Sequence, residues 1–231
     1  MNNTSTGKLF VVATPIGNLK DITFRAVETL NEVDFIICED TRVTSVLLKH
    51  NGISKELVSF NAQSESRKIE YVIQKLSSGQ NGALVSDAGT PCISDPGIRL
   101  VHKCVSNDIE VVGIPGANAA IMALSISGLP TDSFVFEGFL PQKKGRQKKL
   151  IELAAEERTI VLYESTYRIE KLLNELAEYM PERFVVVQRE LTKMFEESWR
   201  GFPQNILVEL PKKTIKGEFV VIISPLAWKI K

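Results

Sequence analysis

The stretch VSDAGTPCISDPG, Val85 to Gly97, carries two Ser-Asp pairs, two glycines and two prolines directly after the apolar run Gly82-Ala83-Leu84. An apolar run entering a segment rich in Gly, Pro and Asp reads as a strand ending in a loop that feeds a helix. Turn chemistry alone accounts for that composition, with Ser94 or Asp95 capping a helix that begins near Pro96. A second reading is a surface for a ligand, because small residues let a ligand approach the backbone and use its N–H groups.

The neighbouring sequence repeats the pattern. Strands are expected at Leu9–Ala13, Phe35–Cys38, Leu57–Phe60, Ala83–Ser86 and Val111–Ile114, with helices at Phe24–Leu30, Val43–Lys49, Ser66–Leu76 and Ile98–Val105 between them. In the third helix Ile69, Val72, Ile73 and Leu76 recur at helical spacing. Strands alternating with helices predict a mostly parallel sheet covered on both faces. Ligands of such sheets bind beyond the carboxyl ends of the strands. Two further loops there share the opening composition: Ala13-Thr14-Pro15-Ile16-Gly17-Asn18 and Ile114-Pro115-Gly116-Ala117-Asn118-Ala119.

Past a small-residue helix over 117–127, Gly128-Leu129-Pro130 marks a stop. We expect domains at 1–127, parallel α/β, and 128–231, mixed α/β. The second contains strands Ser133–Phe139, Thr159–Tyr163, Phe184–Gln188 and Glu218–Ile223, and a helix Arg168–Tyr179. Between its first two strands lies the most polar stretch of the chain, PQKKGRQKK, Pro141 to Lys149. Lys143, Lys144, Arg146, Lys148 and Lys149 have no acid among them; they read either as a solvated face or as a clamp on phosphates.

The 231 residues balance 28 Lys and Arg against 28 Asp and Glu, so nucleic-acid binding would need such local clustering. The three cysteines match neither a disulfide framework nor a metal knuckle, which points to a reducing cytoplasm. The two histidines are too few and too scattered for a zinc site, so no metal is expected. No run is long enough for a membrane span, and MNNTSTGK lacks the signature of a signal peptide. The phosphate loop, the dinucleotide fingerprint and the serine nucleophile elbow are all missing, which tells against ATP hydrolysis, NAD chemistry and serine hydrolysis. Charged residues near strand ends that could orient a substrate or move a proton are Glu39, Asp40, Arg42, Glu164, Arg189, Glu190 and Lys193.

Taken in order, these segments resemble the ribosomal RNA small subunit methyltransferase I family, a branch of the tetrapyrrole-methylase superfamily. The resemblance rests on Thr14-Pro15-Ile16-Gly17-Asn18-Leu19, Glu39-Asp40-Thr41-Arg42, Ser86-Asp87-Ala88-Gly89-Thr90-Pro91 with Ile93-Ser94-Asp95-Pro96-Gly97, and Pro115-Gly116-Ala117. It continues through Gly138-Phe139-Leu140-Pro141, Tyr163-Glu164-Ser165, Arg189-Glu190-Leu191-Thr192-Lys193 and Lys216-Gly217-Glu218-Phe219. It implies a tetrapyrrole-methylase-like fold of two α/β domains with a cofactor cleft between them, usually as a homodimer. It also implies 2′-O-methylation of a cytidine in 16S rRNA, free or in an assembled small subunit, by S-adenosylmethionine (SAM) in the cytoplasm, with no membrane involved. The SAM-holding residues would be Pro15, Gly17, Ser86, Asp87, Ala88, Gly89, Pro91, Pro115, Gly116, Ala117, Phe139, Leu140, Glu164 and Ser165. Rival readings are methylation of a tetrapyrrole or a protein side chain, and a silent SAM- or RNA-binding protein.

The chain departs from the family pattern in three places. A His-Glu-His-Asn-Glu-like stretch is here Asn61-Ala62-Gln63-Ser64-Glu65, and Tyr-Glu-Ser-Pro-His-Arg is here Tyr163-Glu164-Ser165-Thr166-Tyr167-Arg168. With both sets of histidines replaced, Glu190 and Lys193 are the first candidates to assist the hydroxyl, and Glu39 and Asp40 the next. A lysine base would need a depressed pKa. A further C-terminal helical segment of many relatives has no counterpart after Glu218–Ile223, so any RNA contact made there is expected to be missing.

Overall fold

The computed structural model describes residues 6–60 and 65–229. Two compact units comprise Met1–Asn118 and Ala119–Lys231. In the first unit, five strands (β1 Leu9–Val12, β2 Phe35–Cys38, β3 Glu56–Ser59, β4 Gly82–Leu84, β5 Val111–Ile114) pair in the order β3-β2-β4-β1-β5. Every pairing is parallel. Four helices connect them: α1 Phe24–Glu32, α2 Thr41–His50, α3 Glu65–Ser77 and α4 Ile98–Val105.

Both faces of this sheet are buried, as the near-continuous apolar strands require. Leu9, Phe35, Ile37, Val58 and Leu84 pack under Ile69, Val72, Ile73 and Leu76 of α3 and Leu100 and Cys104 of α4. The alternate residues Val12, Ile36, Cys38 and Ala83 pack under Ala26 and Leu30 of α1 and Leu48 of α2. Helix starts follow side-chain chemistry at two places: Thr23 accepts from the Ala26 N–H, and Asp40 accepts from the Arg42 N–H. The expected cap at Ser94 or Asp95 is absent. Helix α4 begins later, after Gly97 at φ 127°, with no side-chain cap.

The strand order decides where a ligand can enter. From β1 the chain runs to β2, past β4; from β4 it runs to β5, past β1. The neighbours β1 and β4 therefore send their connections in opposite directions, and the loops leaving them part at the switch point of the sheet.

The second unit begins with α5 (Ala119–Ser125) and a mixed sheet in the order β6-β7-β10-β8-β9. Its strands are β6 Phe134–Phe139, β7 Thr159–Ser165, β8 Val185–Arg189, β9 Glu197–Gly201 and β10 Glu218–Ile223. Only β6 and β7 run parallel. Helices α6 (Arg146–Ala154), α7 (Ile169–Tyr179) and α8 (Pro203–Glu209) cover one face. Ile169, Leu172, Leu173 and Leu176 recur at i, i+3, i+4 and i+7 and bury α7 against Ile160, Leu162, Val185, Val187 and Val221. On the other face α5 packs against β7 and β10, and the Ala120 N–H donates to the Tyr163 hydroxyl at 3.2 Å. The expected domain boundary lies after residue 127, whereas the first compact unit ends at Asn118 and α5 falls in the second.

Helices α6 and α8 and strand β9 are not marked by the sequence pattern. Helix α6 begins inside the basic stretch, where lysines conceal an apolar stripe of Leu150 and Leu153. Strand β9 (ESWRG) places only Trp199 and Gly201 in the interior, too short an alternation to stand out. Helix α8 is two turns behind Pro203 at its first position.

Candidate functional site

In the first unit the three loops singled out from the sequence meet. Thr14 and Gly89 form an isolated antiparallel bridge: the Thr14 N–H donates to the Gly89 carbonyl at 2.9 Å, and the Gly89 N–H donates to the Thr14 carbonyl at 3.1 Å. The Thr14 hydroxyl donates to the Ser86 carbonyl at 3.1 Å. The third loop joins through the Thr90 hydroxyl, which donates to the Ala117 carbonyl at 3.1 Å. A Cβ on Gly116 would sit 3.0 Å from the Cβ of Ala13, and one on Gly89 3.2 Å from Ile16 Cγ2, with Gly89 at φ 85°. Loop-on-loop packing therefore already demands both glycines, before any ligand is considered.

The side chains divide by exposure. Pro15, Pro91 and Ser86 are buried, and the Ser86 hydroxyl donates back to the Gly89 carbonyl at 3.1 Å. These three shape the loops. Gly17, Asp87, Ala88, Pro115 and Gly116 are exposed, and Ala117 is half-buried. Cys92 and Ser94 hold left-handed φ values of 69° and 64°, so the opening stretch stores strain at two non-glycine positions.

Four carboxylates border these loops. Asp87 Oδ1 accepts from the Asp40 N–H at 3.1 Å, which ties the β4 loop to the β2 loop. Burial, then the charge of Glu39, push Asp95 up to about 6. Burial, then the charges of Asp87 and Asp40, raise Glu39. Asp40 goes the other way, to about 2, because Arg42 hydrogen-bonds it. Such a rim suits a cationic ligand and repels a polyanion.

In the second unit the candidates lie at the end of the sheet where β6, β7 and β8 finish and β10 begins. A register shift between Phe136 and Gly138, with Gly138 at φ 61°, turns the end of β6. Phe139 is half-exposed and stands edge-on to Tyr163, ring centroids 5.7 Å apart. The Leu140 side chain belongs to the core, so a cofactor can meet only its backbone, whose carbonyl already accepts from Arg168 Nη1 at 3.2 Å. Glu164 is buried: its Oε1 accepts from the Ser165 N–H at 2.8 Å and pairs with Arg168 Nε at 2.8 Å.

The basic stretch separates into two groups. Arg146 is buried, pairs with Glu175 at 2.6 Å and donates to the Pro141 carbonyl at 3.1 Å. Lys149 is half-buried and pairs with Glu137 at 2.9 Å and Glu152 at 3.0 Å. Of the five cations expected to clamp phosphates, these two are thus held by carboxylates of the protein itself. Lys143, Lys144 and Lys148 remain exposed.

Glu190 and Lys193 do come together. Lys193 Nζ lies 2.9 Å from Glu190 Oε1 and 2.8 Å from Glu218 Oε2, and the Glu218 N–H donates to Glu190 Oε1 at 3.0 Å. Burial works to lower the Lys193 pKa, but the bonds to Glu218 and Glu190 outweigh it and leave it raised. The raised pKa favours the ammonium, so the geometry suits Lys193 to holding Glu190 in place. Burial works to raise Glu190, yet Lys193 and the Glu218 N–H outweigh it and lower its pKa. Glu190 and Thr192 hold φ values of 52° and 65°, the kind of strain that collects at working sites. The departing stretch Asn61-Ala62-Gln63-Ser64-Glu65 lies outside the residues whose side chains are described. Tyr167, in place of a family histidine, is almost wholly exposed.

The sequence reading assigned no role to Arg168, which proves central to this end of the sheet. Its spacing of i+4 from Glu164, across a strand-to-helix junction, was the available signal.

This fold, with its loops gathered at a switch point, defines a class. A sequence profile described as Tetrapyrrole (Corrin/Porphyrin) Methylases matches residues 8–206, and the chain belongs to that family. It is 51% identical over 94% of its length to a Ribosomal RNA small subunit methyltransferase I of Synechocystis sp., covering 79% of that protein. It is 45% identical to the protein of the same name from Thermotoga maritima, covering 94% of this chain and 98% of that one. Among solved structures, a diphthine synthase superposes with a TM-score of 0.72 at 14% identity, covering 94% of this chain and 89% of that one. A cobalt precorrin-4 methyltransferase gives 0.71 at 16% identity, covering 94% of each chain. Among the described residues no helix is long and apolar enough to cross a membrane.

Proposed function

We propose that this chain transfers a methyl group from SAM to the 2′-hydroxyl of a cytidine in 16S rRNA. The observation that carries the reading is identity near one half, across almost the whole chain, with proteins named Ribosomal RNA small subunit methyltransferase I. SAM supplies an already activated methyl on a sulfonium sulfur. The protein's task is then to hold two reactants in line and exclude water.

Exposed Asp87, Ala88, Pro115 and Gly116, with half-buried Ala117 beside them and Gly17 at the rim, are our candidate cradle for the donor in the first unit. Ser86, Pro15, Pro91 and Gly89 hold that cradle in shape. The acidic rim fits a cationic donor. The backbone of Phe139–Leu140 and of Glu164–Ser165 is the second unit's own candidate surface for SAM. Glu190 serves as the hydrogen-bond acceptor for the 2′-hydroxyl as its oxygen attacks, and Lys193 keeps that carboxylate ionised and in place. Lys143, Lys144 and Lys148 hold RNA phosphates. A homodimer, a cytoplasmic location and the small ribosomal subunit or its RNA as partner are parts of the same proposal.

One assay tests it. Purified protein is incubated with methyl-labelled SAM and, separately, small ribosomal subunits, naked 16S rRNA or a precorrin-type tetrapyrrole. Label on one ribose 2′-oxygen of a cytidine is the expected outcome. Label on the tetrapyrrole, or donor binding without transfer to any acceptor, refutes the assignment.

A further inference from the structure

The second unit contains a buried ionic assembly that the reaction itself does not require. Arg168 pairs through Nε with Glu164 Oε1 at 2.8 Å, donates from Nη1 to the Leu140 carbonyl at 3.2 Å, and lies over the Phe139 ring at 5.7 Å. Arg146 donates from Nη1 to the next carbonyl, that of Pro141, at 3.1 Å, and its Nη2 stands 3.7 Å from Glu164 Oε2. Glu175 anchors Arg146 from the far side through both carboxylate oxygens. Two guanidinium groups thus grip two consecutive carbonyls and share one buried carboxylate. That carboxylate, itself only 2% exposed, leaves Oε2 without a hydrogen bond. Burying Arg146 and Glu164 to serve core stability alone gains little, since apolar packing does as well. The geometry instead fixes the turn that Gly138 and the β6 register shift begin.

We propose that Arg168 and Arg146 are positioning residues: joined through Glu164, they hold the Leu140 and Pro141 carbonyls and thereby set the Phe139–Leu140 backbone that receives the methyl donor. This rests on the functional reading above. Arg146, from the middle of the basic stretch, then serves the donor and not the RNA.

The test uses the full chain with Arg168→Lys, Arg168→Gln and Arg146→Lys, each checked for folding by circular dichroism. S-adenosylhomocysteine affinity is expected to fall about tenfold in each Arg168 variant, the loss of one charge-assisted hydrogen bond. The KM for SAM should rise in step, with kcat within about twofold and the KM for the RNA substrate unchanged. Amide exchange over 138–144 in the ligand-free protein should accelerate. If Arg168→Gln does not fold, Arg168→Lys carries the test, since it keeps the charge but loses the fork that reaches Leu140. Unchanged affinity and unchanged exchange in folded variants overturn the proposal. A loss of RNA affinity in Arg146→Lys with donor binding intact overturns it for Arg146. Failure of the unmodified protein to bind S-adenosylhomocysteine instead sinks the functional reading; the exchange measurement, which needs no ligand, then still decides whether the arginines hold the turn.

Discussion

Asp95 sits where burial and the charges of Glu39 and Asp87 oppose its ionisation, so its folded-state pKa of about 6 stands above that of an unfolded aspartate. The sign follows from proton linkage. The folded protein holds the proton more tightly than the unfolded chain, so this contribution to stability is full at low pH and is lost as pH rises through about 6. Asp95→Asn should therefore stabilise the protein by about 1–3 kcal/mol at pH 8, with the gain shrinking below pH 6 and gone near pH 4. Urea midpoints across that range check it; a gain that is constant with pH would refute the linkage. The residue type was visible in the second Ser-Asp pair. Its environment was not, because Glu39 and Asp87 reach it from other loops. For the same reason Lys193 reads as a possible base, and only the tertiary structure puts two carboxylates beside its ammonium, which raise its pKa.

Among the elements, the β8–β9 hairpin and the entry to β10 are built together. The Glu190 N–H donates to the Glu218 carbonyl at 2.9 Å, and the Glu190 side chain lies across Gly217. A Cβ at Gly217 would come within 2.6 Å of Glu190 Cγ, Cδ and Oε1, and Gly217 has φ 113°. Gly217→Ala should cost about 1–3 kcal/mol of stability and displace Glu190 from Lys193. Methyl transfer should then fall while donor affinity measured by calorimetry stays the same; loss of donor affinity in equal measure would place Glu190 in the donor site instead. Helix α6 teaches a related point. Its positions 146, 150 and 153 share one face, and a buried arginine stands where the pattern would show leucine. Binary patterning scored Arg146 as surface, because a fully buried arginine is rare unless it is paired.

For the molecule as a whole, equal numbers of acids and bases leave no general attraction for RNA. The acidic rim of the first unit turns polyanions away, and the exposed lysines at the start of α6 attract them. Replacing Lys143, Lys144 and Lys148 together with Ala should reduce the slope of log affinity against log salt by about 2. Filter binding to 16S rRNA between low and moderate salt measures this. A slope equal to that of the unmodified protein would remove the stretch from the RNA surface.

Local pattern alone determined the alternation of strands and helices, the parallel sheet of the first unit, and the loops that carry Gly, Pro and Asp. Each of these depends on hydrophobic period and turn chemistry, which act over a few residues. The tertiary structure decided everything that requires two distant segments to meet. It brought Thr14 to Gly89 and Thr90 to Ala117, so that three similar loops became one assembly. It split a run of five cations into three surface lysines and two paired side chains, Arg146 buried and Lys149 half-buried, because only packing decides which charges find a carboxylate. In the stretch Val85–Gly97 the two Ser-Asp pairs part company for the same reason. Asp87 reaches the Asp40 backbone, whereas Asp95 is half-buried among like charges, and no spacing in the chain distinguishes them.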